Sequence, residues 1–250
     1  MIEINSVNNE LVKETAKLQQ KKFRNLENKF ILEGYKVIKE AFDSNIKIDK
    51  IFVQKGFEGK YSFLREKLIL TTESVLKKIS TTDTPPNAVA IAYQRHYTID
   101  NVKNLKKFVL LENIKDTGNL GTIIRTSTAF NADAIILYGK ESVDLYNPKC
   151  VRSAVGNLWK IPVITIQDFE TLKKYFSGYN RIATLPKASK LLKNFKTELP
   201  VLIMFGSEAE GLSDELIDFS TDSVKIEMKD NVESLNLSIS CAVILYKLFL

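Results

Sequence analysis

Residues 201–215, VLIMFGSEAEGLSDE, and residues 224–240, VKIEMKDNVESLNLSIS, carry one plan twice: an apolar strand, a polar turn and the start of a helix. The run 201–205 has the length and apolarity of a strand buried on both faces. Gly206 stops it. The next residues, 207–210, are too polar for a core. Gly206 and Gly211, which bound them, accept backbone angles closed to other residues and let a ligand approach the main chain. Ser213 is expected to cap a helix that opens at Asp214. In the second piece a short strand at 224–228 leads through a polar turn to an apolar helix over 236–249. Strand, loop and helix in succession describe a ligand site at the carboxyl edge of a parallel sheet.

The glycine spacing from Gly206 to Gly211 imitates a phosphate-binding P-loop, but Leu212 stands where that loop needs its lysine. No G-x-G-x-x-G occurs either, so nothing points to a nucleoside triphosphate or a dinucleotide.

Upstream, the same texture continues. Strands are expected at 108–111, 134–138, 162–166, 181–184 and 199–205, with helices at 119–130, 149–155 (ending at Gly156) and 169–176. Alternating apolar strands and helices imply an α/β domain over 106–250, with a mainly parallel sheet covered on both faces. Polar residues 94–105 read as a linker. The front, 1–93, reads as a smaller α/β unit. It has helices at 8–22, 35–42, 61–67 and 73–80, strands at 30–32, 50–54 and 88–93, and a break at 81–86.

The chain has 250 residues, 44% of them hydrophobic and 26% charged, within the range of soluble globular proteins. No apolar run is long enough to cross a bilayer, and MIEINSVNNELVKE lacks the pattern of a secretory signal. The cytoplasm is the expected location. Two cysteines, Cys150 and Cys241, and one histidine, His96, make neither a disulfide framework nor a metal site, and no metal is expected. Cys241 reads as a packed apolar residue. Net charge is +6. Residues 1–105 hold 18 Lys/Arg against 13 Asp/Glu, and the remainder 18 against 17. The positive excess therefore belongs to the front. There, Lys21-Lys22-Phe23-Arg24-Asn25 interleaves cations with an aromatic ring, as suits RNA phosphates and bases. A helix end that buries Phe23 explains the same residues.

Three loops could do chemistry. In NIKDTGNLGTIIRTSTAF (113–130), Asn119 is either a plain helix cap or a site residue. Arg125 sits among core-like neighbours, where an arginine is paired with a carboxylate or held ready for a phosphate. Glu208, in the glycine-bounded loop, is its natural partner. Ser234 and Asn236 place a hydroxyl and an amide where the last helix begins.

In order and spacing, NIKDTGNLGTIIRTSTAF, FGSEAEGL (205–212) and IEMKDNVESLNLSIS (226–240) resemble the three motifs of the SpoU/TrmH family, the RNA ribose 2′-O-methyltransferases of the SPOUT superfamily. The resemblance covers about 106–250. KKFRNLENKFILEG (21–34) more loosely resembles the start of the ribosomal-protein-like substrate-binding domain that precedes many rRNA-directed members. The resemblance implies an α/β-knot, with a trefoil knot in the last third that binds S-adenosylmethionine. Largely main-chain contacts to the cofactor would fall on Gly206, Gly211, Ile226, Met228 and Leu235, with Thr184 and Leu185 lining the same pocket. It implies Arg125 as the catalytic arginine, and Asn119, Glu208, Ser234 and Asn236 around the reacting ribose. It also implies homodimers whose active sites draw residues from both subunits. Asn131 and Ala209 depart from the family, standing where glycines are common.

On this reading the enzyme methylates a ribose 2′-hydroxyl, in ribosomal RNA ahead of tRNA because of the front domain, with Lys21, Lys22 and Arg24 on the RNA. A guanidinium hardly deprotonates. Arg125 is therefore assigned to positioning, and the base stays open between Glu208 and a phosphate-assisted route. A non-catalytic RNA-binding relative and a base-nitrogen methyltransferase are the alternatives.

Overall fold

The computed structural model describes residues 2–139, 143–229 and 231–250. It divides into two units, one of residues 2–95 with 144–159 and one of residues 96–143 with 160–250. The division falls at Arg95 and His96 rather than across a 94–105 linker, and one stretch from the back half of the sequence belongs to the front unit.

The first unit runs β1 (Ile2–Ile4), α1 (Glu10–Lys17), α2 (Lys21–Glu27), β2 (Lys29–Glu33), α3 (Tyr35–Asp43), β3 (Ile48–Gln54), a kinked 3₁₀ stretch (Glu58–Lys67), β4 (Leu68–Thr71), α4 (Glu73–Ile79) and β5 (Ala88–Tyr93). Its sheet has the order β1-β4-β3-β5-β2. β1, β4 and β3 run parallel, and β5 is antiparallel to β3 and β2. Val12, Ile31, Phe52, Ile69, Val75, Leu76 and Val89 share one core.

The single helix expected over 8–22 is two. Asn9 caps α1 by accepting from Leu11 N at 3.0 Å, and Gln20 is extended. Between them the Gln19 amide donates to Lys78 O (3.1 Å) and Ser80 O (3.0 Å), which draws the chain off the helix axis. Tyr61 and Leu64 hold non-helical angles, so 58–67 is 3₁₀ rather than α.

The inserted stretch carries α6 (Pro148–Ala154), capped by Asn147. Charge and aromatic packing tie it to the front unit. Arg24 is 1% exposed. Its Nε donates to Asp144 Oδ2 at 2.8 Å and its Nη1 to the carbonyls of Leu18 and Gln19, both at 2.8 Å, while Nη2 also meets Asp144. Buried Glu33 accepts from Ser80 Oγ (2.6 Å), Thr81 N (2.7 Å), Thr81 Oγ1 (2.8 Å) and Arg152 Nη1. Burial pushes the Glu33 carboxyl up, but these donors outweigh it and leave it below its ordinary value. Phe30 packs on Tyr146 and Trp159, with ring centroids 4.7 and 5.6 Å apart. Val155 and Gly156 leave α6 in left-handed conformation, and a Cβ on Gly156 would meet Glu40 Cβ at 2.7 Å.

The second unit runs β6 (Lys107–Glu112), α5 (Thr117–Ala129), β7 (Ala134–Tyr138), β8 (Val163–Ile166), α7 (Phe169–Phe176), β9 (Asn180–Thr184), β10 (Lys190–Leu191), β11 (Val201–Phe205), α8 (Asp214–Phe219), β12 (Asp222–Lys225) and α9 (Leu237–Phe249). Every strand pairing in its sheet is parallel, in the order β10-β12-β9-β11-β6-β7-β8. The apolar runs of β6, β7 and β11 are buried as expected. Phe108, Leu110, Ile136, Phe176, Met204 and Leu216 form the core. Val102 is fully buried in it, with Tyr97, Ile99 and Leu105 packed alongside, so much of the polar 94–105 stretch is anchored here. Among the described residues no helix is long and apolar enough to cross a membrane.

Removing Asp144 would strand a buried guanidinium. Asp144→Ala is expected to destabilise the protein by about 3–5 kcal/mol, read as a lower urea midpoint. An unchanged midpoint would show that Arg24 finds water or another partner.

Candidate active site

β11 lies between β6 and β9, although β7, β8 and β9 all precede it in the chain. A parallel sheet whose strand order reverses in this way opens a crevice at the carboxyl ends of its strands. The polar loops that leave β6 and β11, and the turn leading into α9, meet there.

The loop after β11 is a tight hairpin. Ser207 N donates to Gly211 O (3.1 Å) and Gly211 N to Ser207 O (3.0 Å), while Glu210 N donates to Ser207 Oγ (3.1 Å). A Cβ on Gly206 would lie 1.9 Å from Gly211 C, so only glycine lets the two main chains approach this closely. Gly211 takes φ +73°, the left-handed region. Leaving the hairpin, Ser213 N donates to Glu112 Oε2 (2.8 Å), and Ser213 caps α8 as expected. Tyr138 OH donates to Glu215 Oε2 (2.9 Å). Burial first, then this carboxylate, raises the Tyr138 phenol above its ordinary value, so it remains a donor at neutral pH. Glu112 and Tyr138 thus fix α8, and the hairpin before it, to the ends of β6 and β7.

Asp116, not Asn119, caps α5, accepting from Asn119 N at 2.7 Å. That frees the Asn119 amide for two tertiary bonds. Its Nδ2 donates to Glu208 Oε1 (2.9 Å), and its Oδ1 accepts from Asn236 Nδ2 (3.2 Å). Asn236 Oδ1 meanwhile caps α9 through Ser238 N at 2.8 Å. A cleft of about 450 Å³ is lined by Lys115, Asp116, Asn119, Ser207, Glu208, Ala209 and Asn236. Three of the five expected catalytic residues are therefore joined by hydrogen bonds in one cleft.

The other two are placed differently. Ser234 is exposed and does not line the cleft. Arg125 is exposed on α5, and its expected partner Glu208 is bonded to Asn119 instead. Arg125 stands six residues beyond Asn119, which at 3.6 residues per turn is about 120° around the helix and about 9 Å along it. Its face continues through exposed Thr122 and Ala129. Sequence reasoning missed Lys115, Asp116 and Ser207. The offset of three residues from Asp116 to Asn119 was the available sign, since a capping side chain bonds the amide at that distance.

Thr184, Leu185, Gly206 and Ile226, among the expected cofactor residues, stand at the ends of three adjacent parallel strands, while Leu235 lies just before α9. Thr184 ends β9, with its Oγ1 on Met204 O (2.8 Å), and Leu185 N donates to Val224 O (3.0 Å). Gly206 follows β11 and Ile226 follows β12. Leu185, Ile226 and Met228 are half-buried and Leu235 is exposed, so apolar side chains stand open beside a main-chain turn. None of these residues lines the cleft above; open apolar side chains beside main-chain polar groups would suit an adenosine carrying a charged amino-acid tail.

Lys21 and Lys22 are exposed at the start of α2, where the ammonium groups of Lys17 and Lys22 lie 5.7 and 5.9 Å from the Phe23 ring centre. Arg24 does not join them. It points inward to Asp144 and cannot meet RNA, which corrects the expectation for that residue.

The chain matches the SpoU rRNA methylase family over residues 106–246 and the MRM3-like substrate-binding domain over 9–90. It is 30% identical to the uncharacterized tRNA/rRNA methyltransferase slr1673 of Synechocystis sp., over 98% of this chain and 92% of that one. It is 27% identical to the 23S rRNA (guanosine(2553)-2′-O)-methyltransferase RlmP of Bacillus subtilis, over 99% of each. Among solved structures, the AdoMet-bound rRNA methyltransferase of Sinorhizobium meliloti superposes with a TM-score of 0.89 at 28% identity, covering 98% of this chain and 96% of that one. The chain therefore belongs to the SpoU rRNA methylase family, and is an S-adenosylmethionine-dependent RNA methyltransferase with a substrate-binding domain in front.

Proposed function

We propose that the protein methylates the 2′-hydroxyl of one ribose in ribosomal RNA, working as a homodimer in the cytoplasm. The observation that carries this reading is the hydrogen-bonded set of Asn119, Glu208 and Asn236, from three distant loops, in one cleft. S-adenosylmethionine, when bound, supplies an electrophilic methyl group. The chain's task is to align a ribose oxygen with it and to take up the proton. Thr184, Leu185, Gly206, Gly211, Ile226, Met228 and Leu235 hold the cofactor at the strand ends. Asn119 and Asn236 orient the ribose, with Ser234 at the rim. Glu208, whose Oε1 the Asn119 amide already steadies, would take up the proton of the ribose 2′-hydroxyl. Arg125 clamps the adjoining phosphate bidentately.

Arg125 is exposed and does not line its own cleft, which supports service in the site of a second copy. α9 offers the surface for that copy. One face buries Cys241, Ile244, Leu245 and Phe249, and the other exposes Ile239 (52%), Val243 (40%), Tyr246 (63%) and Leu250 (69%) at helical spacing. Two apolar faces on one helix call for two partners. The order β12-β9-β11-β6, with late segments on both sides of β9, supports a trefoil knot in the last third. The free, buried thiols of Cys150 and Cys241 suit a reducing compartment.

Incubation with deproteinised 23S rRNA and methyl-labelled cofactor, followed by nucleoside analysis, is expected to give one 2′-O-methylnucleoside. A methylated base with the ribose untouched would overturn the proposal. Arg125→Ala is expected to keep cofactor affinity and lose turnover by at least a hundredfold. Mixed with inactive Glu208→Ala, it should regain about a quarter of wild-type activity, because half the dimers then hold one complete site. No recovery on subunit exchange would show that Arg125 serves its own cleft.

A further inference from the structure

A second cleft, of about 450 Å³, opens on the first unit between α1 and α4, lined by Val7, Asn8, Lys13, Ser74, Lys77 and Lys78. Its lining holds three cations and no carboxylate. All three lysines are exposed. Glu10 and Glu73 stand three and four residues before Lys13 and Lys77, at offsets where helical ion pairs form. Yet among the described residues none of the three ammonium groups lies within ion-pair distance of a carboxylate, whereas Lys39 at the same offset grips Asp43 at 2.5 Å. Glu14, the remaining acid on the facing turns, does not line the cleft. Unneutralised like charges held around one concavity repel one another, and an anion relieves that repulsion.

The cleft also adjoins other exposed cations of this unit. Gln19 is bonded to the carbonyl of Lys78 itself, and Lys21 and Lys22 follow two and three residues later. We propose that Lys13, Lys77 and Lys78 form a phosphate-binding cleft that grips the backbone of the substrate RNA, extended along the chain surface by Lys21 and Lys22. Ser74 and Asn8 add neutral donors to the lining. Such contacts carry no sequence information; they fix the register of the RNA and supply salt-sensitive affinity. This inference rests on the RNA-methylating reading above and assigns the anchor, not the target ribose.

The full-length protein and deproteinised 23S rRNA test it. Replacing Lys13, Lys77 and Lys78 together by alanine should make the slope of log affinity against log salt shallower by about 2, at about 0.7 for each single-strand phosphate that is no longer neutralised. Cofactor affinity should be unchanged, and the triple arginine variant should restore the slope. An unaltered slope in a wild-type-active background would overturn the cleft. Absence of RNA binding by the wild type would instead sink the functional reading beneath it. Acetylation of the unaltered protein gives a check free of folding effects. Bound RNA should protect Lys13, Lys77 and Lys78, and equal labelling with and without RNA would contradict the assignment.

Discussion

The placement of β11 between β6 and β9 governs the rest of the catalytic unit. Its five residues pair in parallel with 107–111 on one side and four of them with 180–183 on the other. That register brings Gly206, the loop after Glu112 and the end of β9 to one edge of the sheet. A slip of one residue would turn Val201, Ile203 and Phe205 to the opposite face and carry the hairpin out of line with Asn119. The polar groups at the edge then secure one another, and Glu112 and Tyr138 tie α8 to neighbouring strands.

Much of this was legible because it is local. A buried strand followed by two glycines five residues apart and a serine before an acidic turn has few readings, and strand, glycine-bounded loop and capped helix all stand, the loop closing as a tight hairpin that the sequence did not specify. What stayed illegible depends on partners far away in sequence. Arg24 looked like an RNA contact because cations and an aromatic surround it; its role is set by Asp144, 120 residues on. Asn119 read as either a cap or a site residue, because an asparagine near a helix start suits both; Asp116 takes the cap and releases it. The inserted stretch 144–159 reads as one more strand-to-strand helix until Phe30, Glu33 and Arg24 show what it covers.

The two units use charge in opposite ways. In the front unit, buried Arg24 and Glu33 are fully partnered, as a desolvated charge must be, and they hold α6 in place. In the cleft around Asn119 the charged and amide groups lie near solvent and are only partly satisfied: Glu208 is exposed and bonded through one oxygen. Such groups contribute little to folding and are left for a ligand. The exposed lysines of α1 and α4 resemble the second kind more than the first.

Three distant loops, after β6, after β11 and before α9, meet at one cleft, and the methyl donor is expected beside it at the ends of β9, β11 and β12. A crystal structure of the protein with S-adenosylmethionine tests that most directly. Cofactor density is expected against the main chain at Gly206, Ile226 and Leu235, with the methyl group facing Asn119 and Glu208. Cofactor density elsewhere on the chain, or a 206–211 hairpin displaced from Asn119, would contradict it.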